Sequence, residues 1–177
     1  GGKIAMVVHG TIFQWDGTGS PSDATKCIAG DLLAAYAKEG IGFLRRVRGF
    51  FSVAIWDGRE ETLYVATDRF RVYPLYYRCD GDKFLFASRM NALLHSGVFG
   101  DPSIDPRAIV QVVASSIIST PDTIFREMKK IPPGHYIVWK RGDISIRSYW
   151  DISFLLPSRR SESQLAEELR VVFRDVL

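Results

Sequence analysis

The sequence predicts an α+β fold in which antiparallel strand pairs alternate with helices of modest length. One observation is the β-rich segment at residues 50–56, which a short polar turn, "DGREE", joins to a second β-rich segment at residues 62–67. This arrangement is typical of an antiparallel hairpin. A second observation is that Ile28, Leu32 and Tyr36 recur at four-residue spacing, as on the apolar face of a helix.

The strands are expected in the following order. An apolar run at residues 4–8 forms a buried strand that enters a turn at "HGT". Residues 50–56 carry large apolar side chains on both faces, so we expect both faces of this strand to be covered. Two further hairpins are predicted, one turned at "CDGDK" and one turned at Arg141-Gly142-Asp143.

Four helices are expected, each with a recognisable start. Ser22 caps a helix at residues 23–38, and Ser88 caps a short helix that ends at Leu94. Proline in Asp105-Pro106 occupies a first helical position. Ser161 and Gln164 form a capping box for the last helix. Its apolar stripe consists of Leu165, Leu169, Phe173 and Val176.

Composition excludes several classes of protein. With 46% hydrophobic residues, the chain can bury a core, and its net charge of +3 is spread too evenly for a nucleic-acid surface. Two cysteines form no disulfide framework, and no metal-binding motif is present. No apolar run approaches the roughly 20 residues of a membrane span, and no signal peptide is evident. We therefore expect a cytoplasmic protein with no nucleic-acid or membrane partner and no metal site.

Residues 48–94 carry an ordered run of motifs: "GFFSVAIWD", "TDRFRVYPLYY" and "FAS". "HGTIFQW" precedes this run, and "IDPRAI", "TIFREMKKIPPGHY" and "YWD" follow it. Together they resemble the glutaminase domain of asparagine synthetase, a class II glutamine amidotransferase. The resemblance covers almost the whole chain.

The resemblance implies an N-terminal-nucleophile (Ntn) hydrolase-like αββα sandwich of two antiparallel sheets, incomplete at its N-terminus. Residues 1–150 would form the glutaminase-type domain. Residues 151–177 would form a linker and the first helix of an ATP-dependent synthetase domain, which lies beyond residue 177. In this family ATP and Mg²⁺ bind to the synthetase domain, so no cofactor is expected in this chain. Glutamine is hydrolysed by the thiol of an N-terminal cysteine.

The resemblance also implies a remnant of the oxyanion and glutamine-binding site, made of His9, Gly10 and Asp23. His9-Gly10 stands where the family has an Asn-Gly oxyanion loop, and Asp23 matches the aspartate that holds the glutamine ammonium group. Asp23 can equally be a helix first-turn acid favoured by the helix dipole. No catalytic residue is expected, because the family's N-terminal cysteine is absent. Cys27 and Cys79 do not replace it.

The segment "DRFRVYPLYY" departs from the family at two positions. Arg71 stands at a glycine position, where a positive φ would strain it, and Tyr73 stands at a lysine position. We expect Arg71 to close or reshape this turn. We also expect Asp68 and Arg69 to form an ion pair that braces the turn, and residues 74–77 to pack against the sheet.

Two functions therefore remain open. The preferred hypothesis is a glutaminase-type domain without glutaminase activity, which serves as a structural partner of an ATP-dependent amide-forming domain. The alternative is a fragment of an active glutamine-hydrolysing asparagine synthetase that supplies ammonia. Glutamine is expected as a ligand only if the remnant site is competent. The isolated chain is expected to self-associate.

Overall fold

The computed structural model describes residues 2–14, 28–153 and 160–176. It contains four helices in these ranges: α1 (Ile28–Glu39), α2 (Met90–Leu94), α3 (Pro106–Ser115) and α4 (Glu162–Val176). A 3₁₀ helix over Gly40–Arg46 follows α1 directly. The strands are β1 (Ile4–Gln14), β2 (Arg48–Asp57), β3 (Thr62–Thr67), β4 (Tyr76–Asp80), β5 (Lys83–Ala87), β6 (Lys129–Lys130), β7 (His135–Lys140) and β8 (Asp143–Ser148).

The strands form two antiparallel sheets. The larger sheet has five strands in the order β1-β2-β3-β7-β8, and the smaller has three in the order β5-β4-β6. Three hairpins, β2–β3, β4–β5 and β7–β8, supply most of this pairing, because short turns join neighbours along the chain. All three hairpins are those predicted from the sequence.

The two sheets face each other across an apolar layer. Val65 and Ile137 of the larger sheet are buried in one cluster with Tyr77 of the smaller sheet. The opposite face of the larger sheet is covered by α1 and the 3₁₀ helix, from which Leu32 and Phe43 enter the core. On the smaller sheet, α2 contacts β4 and β5. The fold is therefore α+β with two stacked antiparallel sheets and helices outside them, as predicted.

Two expectations about the strands were wrong. β1 does not turn at "HGT" but continues to Gln14, because β2 offers it pairing partners as far as Arg48. The second face of β2 is only partly covered, since Phe50 and Trp56 are each 40% exposed. The alternation of apolar residues predicted which side chains share a face of the strand. Which elements cover each face depends on distant parts of the chain.

The helix caps agree with the sequence at two of the positions described. The Asp105 carboxylate accepts a hydrogen bond from the backbone N–H of Arg107, and Ser161 and Gln164 form the reciprocal capping box. Ser88 is not a cap, because Arg89 occupies the N-cap position of α2 and makes no side-chain cap bond. The predicted cap at Ser22 lies outside the described residues.

α3 and α4 present apolar side chains to solvent. On α4, Leu165, Leu169 and Phe173 are 44%, 56% and 58% exposed.

Among the described helices, none combines the length and the hydrophobicity that crossing a bilayer requires.

Candidate functional site

His9 and Gly10 lie within β1, at the edge of the larger sheet. His9 is opposite Ser52, and Gly10 is opposite Phe51, both in β2. The expected oxyanion loop is thus a stretch of paired strand, and the side chain of His9 is exposed on it.

Gly10 adopts a backbone conformation that favours glycine. Its φ is +119°, and a Cβ atom at this position would lie 2.1 Å from the backbone oxygen of Phe50. Both the positive φ and the close approach of β2 exclude a side chain here without rearrangement. The register of β1 therefore depends on Gly10.

The loop after β3 is organised by the buried carboxylate of Asp68, which has no exposed surface. Asp68 accepts hydrogen bonds from the backbone N–H groups of Phe70 (2.8 Å) and Val72 (3.0 Å), and a longer one from Tyr73 (3.5 Å). The carboxylate thus accepts hydrogen bonds from backbone N–H groups that a sharp turn leaves without a backbone acceptor.

The expected ion pair between Asp68 and Arg69 was wrong. Arg69 points elsewhere: its guanidinium donates to the backbone oxygen of Arg45 at 2.9 Å and lies 5.5 Å from the ring centroid of Trp150. Neighbouring residues on a turn project in different directions, so adjacency in sequence did not produce contact. Asp68 still braces the turn, but through backbone N–H groups.

Arg71 adopts the left-handed conformation, with φ of +53°. The turn therefore keeps the conformation that glycine would favour, at a cost of about 1–2 kcal/mol for a residue with a Cβ. The Arg71 guanidinium donates a hydrogen bond to the hydroxyl of Thr120 at 2.8 Å. This bond ties the loop after β3 to the segment after α3.

Tyr73, at the end of the same loop, contacts His9. Their rings pack edge to face with centroids 4.7 Å apart. Two residues that the sequence separates by 63 intervening positions thus meet at the edge of the larger sheet. This contact links β1 to the loop that Asp68 organises.

A cavity of about 190 Å³ opens beside His9, between β1, β2 and the end of β5. Its polar lining consists of His9, Ser52 and Ser88. Its other lining residues are Val7, Val53, Ala54, Leu75, Phe86 and Ala87. The cavity is smaller than the roughly 300–1,000 Å³ typical of drug-sized ligand pockets. Among the residues described, its lining includes no carboxylate, ammonium or guanidinium group.

Of the three site residues predicted from the sequence, the structure describes two. Asp23 lies outside the described residues, as does Cys27, so the predicted proximity of Asp23 to Gly10 stays a prediction. Cys79 lies in β4 opposite Phe84, and burial raises the pKa of its thiol. Within the described ranges, His, Cys, Asp and Glu side chains form no group of three or more that could hold a metal ion.

A separate cluster of polar side chains lies at the end of β2. The Asp57 carboxylate accepts hydrogen bonds from the Arg59 guanidinium at 2.6 and 2.9 Å and from the Tyr36 hydroxyl at 3.0 Å. The bonds from Arg59 hold the pKa of Asp57 well below its usual range, whereas burial raises the pKa of Tyr36. This cluster joins α1 to the larger sheet.

Sequence reasoning missed the backbone partners of Asp68 and the His9–Tyr73 contact. A local signal for the first was present, since aspartate commonly accepts a hydrogen bond from the N–H two residues later. The second had no local signal, because it depends on how β1 lies relative to the loop.

Two stacked antiparallel sheets flanked by helices, with the candidate site at one sheet edge, define an Ntn-hydrolase-like α+β domain. Comparison with known sequences gives the family. A profile described as a glutamine amidotransferase domain matches residues 20–150. The chain therefore belongs to the glutamine amidotransferase domain family, of the kind found in asparagine synthetases.

Relatives share between a quarter and a third of their residues with the chain over the matched stretches. Asparagine synthetase (glutamine-hydrolyzing) 1 of Bacillus subtilis (strain 168) is 31% identical over 145 residues, which are 81% of this chain and 22% of the relative. Amidase chry2 of Gibberella zeae is 26% identical over 179 residues, 96% of this chain and 26% of the relative. Asparagine synthetase (glutamine-hydrolyzing) 3 of Bacillus subtilis (strain 168) is 29% identical over 123 residues, 68% of this chain and 20% of the relative. The chain thus spans about a fifth to a quarter of the length of these relatives.

Proposed function

We propose that this glutamine amidotransferase domain does not hydrolyse glutamine and instead serves as a structural partner of an ATP-dependent amide-forming part of the same protein. ATP and Mg²⁺ would be bound by that part. The observation that carries the proposal is the environment of His9: an aromatic contact with Tyr73 on one side and a largely apolar cavity on the other.

The described lining of the cavity offers no charged partner to a free amino acid. Glutamine carries an ammonium and a carboxylate group, and burying either without a charged partner costs several kcal/mol. Within the described part of the chain, the lining offers only the His9 imidazole and the hydroxyls of Ser52 and Ser88 as polar side-chain groups. A substrate with two charges would leave both without a countercharge from these residues.

The side chain at position 9 also differs from the donor that the family uses for oxyanion stabilisation. By the family resemblance, an asparagine amide would donate a hydrogen bond from this place to the oxyanion of the tetrahedral intermediate. His9 instead packs against Tyr73. Loss of one such donor lowers kcat by about 10²–10³.

The described thiol is not an alternative nucleophile. Cys79 has a raised pKa, so less of it is thiolate near neutral pH, and the thiolate is the nucleophilic form. Cys79 is not among the residues that line the cavity beside His9.

A second function is favoured by the names of the relatives. Two of those compared are called glutamine-hydrolysing asparagine synthetases, and one of them is 31% identical to this chain. On that basis the chain would belong to an active enzyme and would supply ammonia from glutamine. His9 and Tyr73 would then have to move apart, or the amide donor would have to come from elsewhere.

Ammonia release from glutamine by the full-length protein distinguishes the two functions. We expect no release above the buffer background, and ATP consumption that responds to added ammonia but not to glutamine. Ammonia release that a thiol-alkylating glutamine analogue abolishes would refute the structural-partner proposal and establish the alternative. The variant Cys79→Ala shows whether any release depends on the described thiol.

A further inference from the structure

β8 is an exposed edge strand of the larger sheet. It pairs with β7 on one side, in an unbroken register from His135↔Ser148 to Lys140↔Asp143. Five of its six residues are exposed, and Ser145 is half-buried. The strand contains no proline, and its register with β7 shows no bulge. Because such an edge presents unpaired backbone N–H and C=O groups, it can accept a further strand.

The hairpin turn determines which backbone groups of β8 face β7. Arg141 and Gly142 both have a positive φ, of 50° and 91°, as the two central residues of a type I′ turn do. A turn of this length is typically closed by a hydrogen bond from the N–H of its fourth residue to the carbonyl of its first. These two residues are Asp143 and Lys140, so the backbone groups of Asp143 point toward β7.

The next residues of β8 alternate in direction. In an antiparallel ladder, residues hydrogen-bonded to the neighbouring strand alternate with residues whose backbone groups face away from it. Every second residue from Asp143 onward therefore faces β7. The N–H of Tyr149, which is in this phase, donates to the Gly134 oxygen at 2.9 Å. Ile144 and Ile146 are in the opposite phase, and their N–H and C=O groups point out of the sheet.

The sequence of β8 is complementary to itself in one antiparallel register. When two copies of "DISIR" lie antiparallel with Ser145 opposite Ser145, Asp143 lies opposite Arg147 and Ile144 lies opposite Ile146. Opposite charges and apolar side chains that face each other across two strands stabilise the pair. The same register brings the outward backbone groups of Ile144 against those of Ile146, so that both residues are hydrogen-bonded.

The neighbouring registers lack this complementarity. A shift by one residue would place outward-facing backbone groups opposite inward-facing ones. A shift by two residues keeps the hydrogen bonds but loses the ion pairs. In one direction it places Arg141 opposite Arg147, and in the other it places Ser145 opposite Arg147. Like charges directly opposite each other are destabilising, so the register centred on Ser145 is favoured.

The two charged side chains of this register are available for contact. Among the residues that the structure describes, neither Asp143 nor Arg147 forms a salt bridge. Both lie on the same face of β8 as Ser145, since alternate residues of a strand share a face. All three line an open cavity of about 350 Å³ at the edge of the sheet.

We propose that β8 is the surface through which two copies of this protein pair, in a two-fold antiparallel contact centred on Ser145. The two five-stranded sheets then form one continuous sheet of ten strands. A two-fold contact uses the same surface on both copies, so it closes at two copies. The inference does not depend on whether the domain hydrolyses glutamine.

The contact is expected to be weak on its own. One pair of short strands buries much less than the roughly 1,600 Å² of a standard stable interface. It therefore contributes little to the mass that light scattering reports at roughly tens of micromolar protein. A covalent trap detects such a contact because it accumulates the paired state.

Disulfide cross-linking of the full-length protein under mild oxidation tests the register. Ser145→Cys places two thiols in a non-hydrogen-bonded pair, where the Cα atoms lie about 4.5 Å apart, within the range of a disulfide. Ile144→Cys is the matched control, because its Cα lies about 7–8 Å from its own copy in this register, beyond that range. We expect cross-linking at position 145 to be at least about tenfold faster than at position 144. Mass spectrometry identifies the linked peptides, so the native cysteines do not interfere.

A charge exchange tests the ion pairs in the Ser145→Cys protein. Arg147→Asp places two carboxylates opposite each other and should slow cross-linking about tenfold. Adding Asp143→Arg restores opposite charges in both pairs and should return the rate to within about threefold of the starting protein. Recovery by the second substitution separates a lost ion pair from a damaged fold, because two damaging changes would not cancel.

Each other outcome would overturn the inference. Cross-linking that is as fast at position 144 as at position 145, or absent at both, would exclude the register. A double variant as slow as Arg147→Asp would exclude the ion pairs. Protection of the Ile144 and Ile146 amides from hydrogen exchange without any cross-link at position 145 would assign the edge to a different segment. Ammonia release from glutamine tests the proposed function separately and does not involve β8.

Discussion

The Asp68 carboxylate and the backbone N–H of Phe70 lie 2.8 Å apart, and this hydrogen bond begins the turn that carries Arg71 and Tyr73 toward their distant partners. Asp68 is fully buried, so water does not compete for its oxygens. The turn therefore has one acceptor group for several donors, and its shape depends on that group.

Replacing Asp68 by alanine should destabilise the protein. The N–H groups of Phe70 and Val72 would lose their acceptor, and leaving such donors unsatisfied costs about 1–3 kcal/mol. We expect Asp68→Ala to lower the free energy of unfolding by about 2 kcal/mol, and Asp68→Asn, which keeps one acceptor oxygen, by less. Urea denaturation measures both. The exposed Asp101→Ala is the control, and an equal effect of Asp101→Ala and Asp68→Ala would contradict the role of the turn.

Gly10→Ala should also destabilise the fold, for a different reason. A residue at φ +119° is strained by about 1–3 kcal/mol, and the added Cβ would meet the Phe50 oxygen at 2.1 Å. We expect a loss of about 2 kcal/mol or more in thermal or chemical denaturation.

Gly30→Ala is the matched control for Gly10→Ala. Gly30 lies within α1, has no strained φ, and a Cβ there would meet nothing within 4 Å. Alanine in a helix interior is favoured over glycine by about 1 kcal/mol, so this variant should be more stable than the wild type. Opposite signs for the two variants are the expected result, and a stabilising Gly10→Ala would contradict the geometry of β1.

Much of the sheet was predictable because its hairpins are local. Turns of a few residues between β-rich segments determine β2–β3, β4–β5 and β7–β8, and each segment carries its own pattern. The extent of β1 was not predictable, since its pairing with β2 joins residues more than 30 positions apart. Gly10 does adopt the positive φ that is typical of a turn residue, but its pairing with Phe51 keeps it in the strand.

The candidate site shows the same division. The residue type of Asp68 predicted that this side chain braces the turn, but it did not predict which groups the carboxylate contacts. The carboxylate accepts hydrogen bonds from backbone N–H groups, and the neighbouring Arg69 guanidinium binds elsewhere. Arg71 at a glycine position suggested a reshaped turn. The structure instead keeps the left-handed conformation and adds a hydrogen bond to Thr120, a partner 49 residues away.

Acid should destabilise the protein partly through Asp57. The bonds from Arg59 lower the pKa of Asp57 in the folded state. The Asp57 carboxylate therefore takes up a proton less readily in the folded protein than in the unfolded chain, where its pKa is about 3.9. The stabilising contribution is therefore complete above about pH 4 and is lost as the pH falls from there toward the folded-state pKa.

Asp57→Asn should lower the free energy of unfolding at pH 7 and make its decline below about pH 4 shallower. Asp105, whose pKa Arg107 lowers to about 2, should account for part of the decline that remains. Denaturation midpoints measured between pH 7 and pH 2 test this. A decline in Asp57→Asn as steep as in the wild type would show that Asp57 does not contribute.

The isolated chain should self-associate through α4. Leu165, Leu169 and Phe173 form an exposed stripe on this helix, and burying one such side chain fully contributes roughly 1.5–3 kcal/mol. Leu169→Lys and Phe173→Lys place charges on that stripe and should shift the chain toward a monomer of 20.0 kDa. Val171→Lys introduces the same charge on the other side of the same helix and should leave association unchanged. Light scattering at tens of micromolar protein measures the mass, because at roughly this concentration a complex with a micromolar Kd is largely formed. A monomeric wild type, or equal effects of Val171→Lys and Leu169→Lys, would mean that the α4 stripe does not drive association.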